Sequence, residues 1–309
     1  MIPTRPQGGS EILLESICQQ VNLEGINLFL STCRPELLVP DKKNVLLQQL
    51  NYDQDNVLGM KSPSFVDNID LFVYNSHWCY EKFRERFNTP PWKSIVIKNA
   101  THAFQIKPKP KGKLKLIFMS TPWRGLDVVL KAFELLDRDD VELDVYSSNV
   151  IYGPAFAQAT AGQFDDLFKH GESLDNVNMM GYAANKDIRA ALKQAHIFAY
   201  PSTFEETSCI AAIEALCAGC QAVVTNLGAL FETCGEYATY IPYDMDRMRL
   251  AKNYAKVLNN TIDSYWSEDN QQLLLEQAEF YNKHWTWPKR IKEWDLALNK
   301  IRNNQSVFS

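Results

Sequence analysis

The sequence predicts an α/β protein of two domains, each built on a parallel sheet. Three observations carry that expectation. The chain has 309 residues, about twice the length of one domain. Short apolar runs alternate with helix-period segments from end to end, as in layered α/β folds. The runs are rich in Val, Ile, Leu and Phe without clean alternation, the pattern of parallel strands buried on both faces.

Taken in order, strands are expected at 26–31, 45–49, 71–75, 94–97, 114–119, 142–147, 177–180, 197–200, 222–225 and 239–241. Helices are expected at 11–21, 78–87, 127–136, 187–194, 209–218, 247–259 and 271–284. The clearest is 127–136, where Val129, Ala132, Phe133 and Leu136 fall on one helical face. One segment breaks the rhythm. Lys107-Pro-Lys-Pro-Lys-Gly-Lys-Leu-Lys115 places five lysines in nine residues around two prolines, an extended, solvated linker by composition. It divides a first domain, 1–106, from a second, 107–285. The same lysines offer a second reading, peripheral contact with anionic lipid on the inner face of a membrane or with a phosphorylated substrate.

Apolar residues make up 46% and charged residues 22%, which fits a globular protein with a sizeable core. The net charge is −5, so nucleic acid is not an expected partner. Residues 1–112 carry 13 basic and 11 acidic groups and the remainder 19 and 26, so the two parts are expected to do different work. Seven cysteines in a chain this long do not form a disulfide scaffold. With no signal-peptide core at the start and no run approaching the roughly 20 apolar residues of a membrane span, a cytoplasmic, reduced protein is expected.

The stretch richest in chemistry is Ala199-Tyr-Pro-Ser-Thr-Phe-Glu-Glu-Thr-Ser-Cys-Ile-Ala-Ala-Ile-Glu-Ala-Leu-Cys-Ala-Gly-Cys220. A strand ends at Tyr200, and Thr207 or Ser208 is expected to cap the next helix. Free N–H groups and a positive dipole end then stand at the carboxyl edge of a parallel sheet, which suits a phosphate or sugar hydroxyls. Glu206 precedes the helix and Glu214 lies two turns inside it, about 12 Å along the axis at 1.5 Å per residue. Such a pair can grip separated parts of one elongated ligand but cannot act as a coupled acid/base dyad. A helix-dipole partner and a solvated helix face explain the same two residues equally well at this point.

These residues resemble the signature of GT-B glycosyltransferases, specifically the retaining family 4. Pro201-Ser202, Glu206, Glu214 and Gly219 fill that family's strand, Pro-Ser, Glu, seven residues, Glu and Gly positions. Val223 through Glu232 resembles its next strand and Gly-rich turn, and Phe118-Met-Ser-Thr-Pro-Trp-Arg-Gly-Leu-Asp127 its first donor-domain strand and loop. The resemblance implies a GT-B architecture, two Rossmann-like domains facing a cleft. It implies that Arg124, with Ser120 on the same loop, meets a diphosphate. Glu206 would hold hydroxyls of the transferred sugar, and Glu214 the nucleotide ribose. Thr207 and the main chain of Ser208, Cys209 and Ile210 would face the sugar and distal phosphate. The family supplies two basic groups at the first loop, whereas this shorter loop has only Arg124.

Pro6-Gln-Gly-Gly-Ser-Glu11 resembles the family's Gly-Gly loop, placing Gly8 and Gly9 near the donor phosphates. The first domain is small for the family, and its opening strand is expected to be short or absent. Where the family has a His near the reacting carbon, this chain has Leu50-Asn-Tyr-Asp-Gln-Asp55, so Asn51 or Asp53 is the candidate near the acceptor hydroxyl, against the plainer reading of a turn. Trp285-Thr-Trp287 and Trp294 resemble the C-terminal helix, 286–309, that crosses back onto the first domain. The implied activity is retaining transfer, of hexosyltransferase type (EC 2.4), from a nucleoside-diphosphate sugar to a hydroxyl of a glycan, lipid-linked or protein-linked acceptor, with no cofactor and no metal.

Two other classes are weighed. A NAD-dependent oxidoreductase lacks its Gly-x-Gly-x-x-Gly after a strand. A non-catalytic sugar-nucleotide-binding or assembly protein of the same fold fits the small first domain. Asp53-Gln-Asp55 also has the Asp-x-Asp spacing of metal-dependent GT-A enzymes, a spacing repeated at Asp244-Met-Asp246. Cys217-Ala-Gly-Cys220 has no second pair or nearby His to complete a zinc site and is expected to pack a helix end. His102 stands at the domain junction, either facing the cleft or as an ordinary linker residue.

Overall fold

A computed structural model describes residues 8–307. The first domain runs α1 (Gly9–Gln20), β1 (Ile26–Leu30), β2 (Lys43–Gln48), α2 (Pro63–Asp67), β3 (Leu71–Tyr74), α3 (His77–Phe87) and β4 (Ser94–Val96). Its four strands are all parallel, in the order β1-β2-β3-β4. Among the described residues no strand precedes α1. Helix α3 begins where Ser76 Oγ accepts the Cys79 amide, satisfying one of the donors a helix start leaves open.

The second domain runs β5 (Leu114–Met119), α4 (Leu126–Leu136), β6 (Val141–Tyr146), α5 (Pro154–Ala159), α6 (Asp165–Glu172), β7 (Val177–Met179), α7 (Asn185–Leu192), β8 (Ile197–Tyr200), α8 (Ile210–Cys217), β9 (Gln221–Thr225), α9 (Leu230–Cys234), β10 (Ala238–Ile241), α10 (Arg247–Ser264) and α11 (Glu268–His284). The sheet is six-stranded and parallel, ordered β10-β9-β8-β5-β6-β7. The chain walks outward from β5 to β7, then crosses back to lay β8 on the other side of β5. Strand direction of travel therefore reverses between β5 and β8, and the loops leaving those two strands diverge around a crevice, the place where open α/β sheets bind ligands. Two Rossmann-like halves of this kind form the GT-B architecture.

Apolar runs explain the burial. Every residue of β3 and of β8 is buried, because helices cover both faces of each sheet. The last helix, α12 (Trp287–Arg302), leaves the second domain and completes the first. Trp285 lies in the second domain's core, whereas Trp287 and Trp294 lie in the first domain's core with Leu13, Ile17 and Val45. The two chain crossings between domains are paired. The Thr101 amide donates to the Trp285 carbonyl at 3.0 Å, and the Trp287 amide donates to the Thr101 carbonyl at 3.3 Å.

The lysine-rich segment is not a free, solvated linker. Lys109 Nζ donates to the Leu192 carbonyl and Lys113 Nζ to Asn176, Lys111 lies 3.5 Å from the Trp266 ring centre, and Lys115 pairs with Glu142 at 2.6 Å. The alternating prolines keep the segment extended, and Lys109, Lys111, Lys113 and Lys115 each find a partner on the second domain. No helix among the described residues is long and apolar enough to cross a membrane. All seven cysteines are free thiols. Burial pushes Cys33, Cys217 and Cys234 up to about 12, which leaves them inert as nucleophiles at neutral pH. Cys217 and Cys220 pack the end of α8, where Cys220 Sγ donates to the carbonyls of Leu192 and Ala195.

Candidate active site

The crevice opens into an interdomain cleft of about 500 Å³. Gly8, Gly9, Asn51, Ser120, Arg124, Glu206, Thr207, Ser208, Cys209, Ile210 and Glu214 all line it, so the residues singled out from the sequence converge from both domains. One does not. Asp53 is exposed and lies outside the lining, as does Asp55, whereas Gln54 and Asn56 of the same turn belong to it. Asn51 is buried and donates to the Glu205 carbonyl at 3.4 Å.

The loop after β5 holds Arg124 and the loop after β8 holds Glu206. Glycines on two neighbouring loops, after β5 and after β9, let those loops pass the one that holds Glu206. A Cβ on Gly125, at φ +104°, would stand 2.2 Å from the Pro201 carbonyl oxygen. A Cβ on Gly228, at φ +63°, would stand 2.5 Å from the Glu206 nitrogen, and the next amide, Ala229, donates to the Glu206 carbonyl at 2.6 Å. Glu206 is thereby fixed by its own main chain. Its carboxylate is 4% exposed and accepts both bonds of Arg124 Nη1, at 2.8 and 3.1 Å, and the Tyr200 hydroxyl at 2.5 Å. The Arg124 guanidinium also lies 4.4 Å from the Phe204 ring centre. Burial opposes its charge, but Glu206, helped by Tyr200 and Tyr152, holds its pKa above the ordinary guanidinium value. Burial, then Glu206, pushes the Tyr200 phenol well up, so it donates.

Helix α8 begins at Ile210 after Cys209, and no side chain caps it. Thr207 is not the cap, and neither is Ser208. The Thr207 hydroxyl reaches across to the first domain, donating to the Gln49 carbonyl at 3.0 Å and accepting from Asn75 at 2.9 Å, while its carbonyl accepts from Ser76 Oγ at 2.5 Å. Gln49, Asn75 and Asn99 form one network behind it. The uncapped first turn leaves its N–H groups and positive dipole end for whatever occupies the cleft. Glu214 is the fifth residue of α8, so it lies one turn inside the helix rather than two. It accepts from Arg189 Nη1 at 2.8 Å and from Thr101 at 3.0 Å.

Sequence reasoning missed Arg189, Thr101 and Tyr200 as site residues. Arg189 sits on the short amphipathic helix α7, which reads as an ordinary solvated face, and only the fold brings it to Glu214 across 25 residues. Four buried polar atoms of the lining have no hydrogen-bond partner among the described residues: Glu11 Oε2, Thr121 Oγ1, Arg124 Nε and Ser208 Oγ. Unpaired buried groups at a cleft of this size mark a place for a polar ligand. His102 lines the cleft and is exposed.

Two parallel-sheet domains joined by paired crossings, with charged residues gathered at the carboxyl ends of β5 and β8, define a GT-B protein. Residues 99–273 match the family model described as Glycosyl transferases group 1, and the chain belongs to that family. Among solved structures it is similar to the pneumococcal O-GlcNAc transferase GtfA, solved with UDP and GlcNAc (TM-score 0.66, 13% identity, 94% of this chain and 60% of that one). It is similar to Anabaena HepE, solved with UDP-glucose (TM-score 0.68, 14% identity, 89% and 79%), and to sucrose-phosphate synthase from Thermosynechococcus elongatus (TM-score 0.63, 13% identity, 86% and 69%). The chain thus spans less than two thirds of GtfA's length. No curated protein sequence matches it.

Proposed function

We propose that this chain is a retaining, family 4 transferase that moves a hexosyl group from a nucleoside-diphosphate sugar to an acceptor hydroxyl. The observation that carries this is the gathering of Arg124, Glu206, Glu214 and the uncapped start of α8 around one cleft at the sheet's reversal point. Breaking the glycosyl–phosphate bond builds negative charge on the diphosphate. Arg124 and the α8 amides are placed to meet that charge, Glu206 to orient the sugar through its hydroxyls, and Glu214 to accept from the ribose. No step calls for a metal, and no carboxylate serves as nucleophile. The nucleotide complexes of GtfA and HepE support the donor class, and a glycan or another hydroxyl compound is the acceptor class.

The test is donor binding and turnover by the intact chain, read as a melting shift against UDP-, GDP- and ADP-sugars and as sugar release. Glu206→Ala should lower turnover by about 10²-fold through lost orientation of the sugar. A second reading, a sugar-nucleotide binder without turnover, has one observation in its favour: among the described lining residues Arg124 is the only Lys or Arg. Donor binding with no turnover in the wild type would decide for it.

A further inference from the structure

The described lining of the cleft sets one guanidinium, Arg124, against three carboxylates, Glu11, Glu206 and Glu214. Glu214 has its own cation in Arg189, outside the lining. Arg124 is already bound, since Nη1 gives both its bonds to Glu206. The two groups assigned to opposite ends of the donor's glycosyl–phosphate bond are therefore paired through Nη1, while Arg124 Nε keeps no partner among the described residues.

Resting on the nucleotide-sugar assignment above, we infer that the Arg124–Glu206 pair is a place-holder that the complete donor takes apart, so that the pair selects sugar nucleotide over free nucleoside diphosphate. A donor brings both replacements at once. Its phosphate oxygens take the guanidinium, and its sugar hydroxyls take the carboxylate. A nucleoside diphosphate brings only the first. It strips Arg124 from a carboxylate that is 4% exposed and held otherwise by Tyr200 alone, and a buried charge that loses its partner is costly. The main chain of Glu206 is held in place by Gly228 and Ala229. The consequence is weak retention of the spent nucleotide, which favours release after transfer.

Isothermal titration of the full chain with UDP, GDP and ADP, and with UDP-, GDP- and ADP-glucose, tests this. In the wild type the sugar nucleotide should bind at least about tenfold more tightly than its nucleoside diphosphate. Glu206→Gln removes the charge that must be abandoned, so nucleoside diphosphate affinity should rise about tenfold while the advantage of the sugar disappears. If Glu206 merely aims Arg124 at phosphate, the same variant would bind nucleoside diphosphate no better or worse than wild type, and the inference falls. Tyr200→Phe provides an independent arm should the Gln variant melt early. Glu206 then depends on Arg124 alone, and nucleoside diphosphate affinity should drop about tenfold; an unchanged or tighter value overturns the exchange. Wild type that binds none of the six compounds would instead overturn the nucleotide-sugar assignment, and the exchange with it.

Discussion

Arg189 and Glu214 meet at 2.8 Å although they come from different helices, α7 and α8. Arg189 Nη2 also donates to the carbonyls of His102 and Ala103, at 2.9 and 3.1 Å, and its guanidinium packs 3.7 Å from the Phe104 ring centre. One side chain thus ties the interdomain crossing to a cleft carboxylate.

Arg189→Ala should destabilise the protein by about 3 kcal/mol, because it leaves the Glu214 charge with only Thr101 in a buried setting. Arg189→Lys should restore little, since a single ammonium cannot serve Glu214 and two carbonyls with the fixed fork of a guanidinium. Urea unfolding of both variants checks this; full recovery by Lys would count against it.

At Gly125, the positive φ and the approach of the Pro201 carbonyl leave no room for a methyl group. Gly125→Ala should cost about 2–4 kcal/mol and misplace the neighbouring Arg124. Thermal unfolding measures the first effect, and donor affinity the second.

The acid limb of stability should depend on Glu232. Burial by itself would raise this carboxyl, but the His77 ring at 2.8 Å, the Trp78 amide at 3.1 Å and Lys98 at 3.4 Å outweigh it and hold it below its ordinary 4.5. The contribution is therefore present above that value and lost as pH falls through the lowered one. Glu232→Gln should lose about 1 kcal/mol at pH 7, and its stability should fall less steeply than wild type below pH 4.5. Parallel curves for the two proteins would be the contrary result.

Under the proposed mechanism chelation should leave sugar transfer unchanged, because Arg124 and the start of α8 would supply the positive charge. Activity abolished by EDTA and restored by Mn²⁺ would point to a metal-held diphosphate.

All ten strands of the described residues were legible in the sequence: those buried throughout, such as β3 and β8, must be short apolar runs whatever surrounds them, and β6 is an apolar run whose burial alternates. The loops that carry Arg124 and Glu206 were legible for a related reason: local Pro and Gly punctuation fixes them. What stayed hidden depends on distant partners. Thr207 has the right chemistry for a cap, but Gln49 and Asn75 of the other domain claim its hydroxyl. Lysines 109 to 115 read as solvated because Trp266, Asn176 and Glu142 lie far along the chain. Asp53 shares its turn with Asn51, and nothing local says which of the two faces the cleft.

Helix α12 has a consequence for biosynthesis. Trp287 and Trp294 fill the core of the β1–β4 half, yet the whole β5–β10 half is made between that sheet and them. Until they emerge, the face of the β1–β4 sheet that they share with α1 is only partly covered, while the later half already holds every strand and helix of its own core. The β1–β4 half is therefore begun before its neighbour and completed after it, and a nascent chain stalled before position 287 should be recognisable by the apolar surface that α12 would cover.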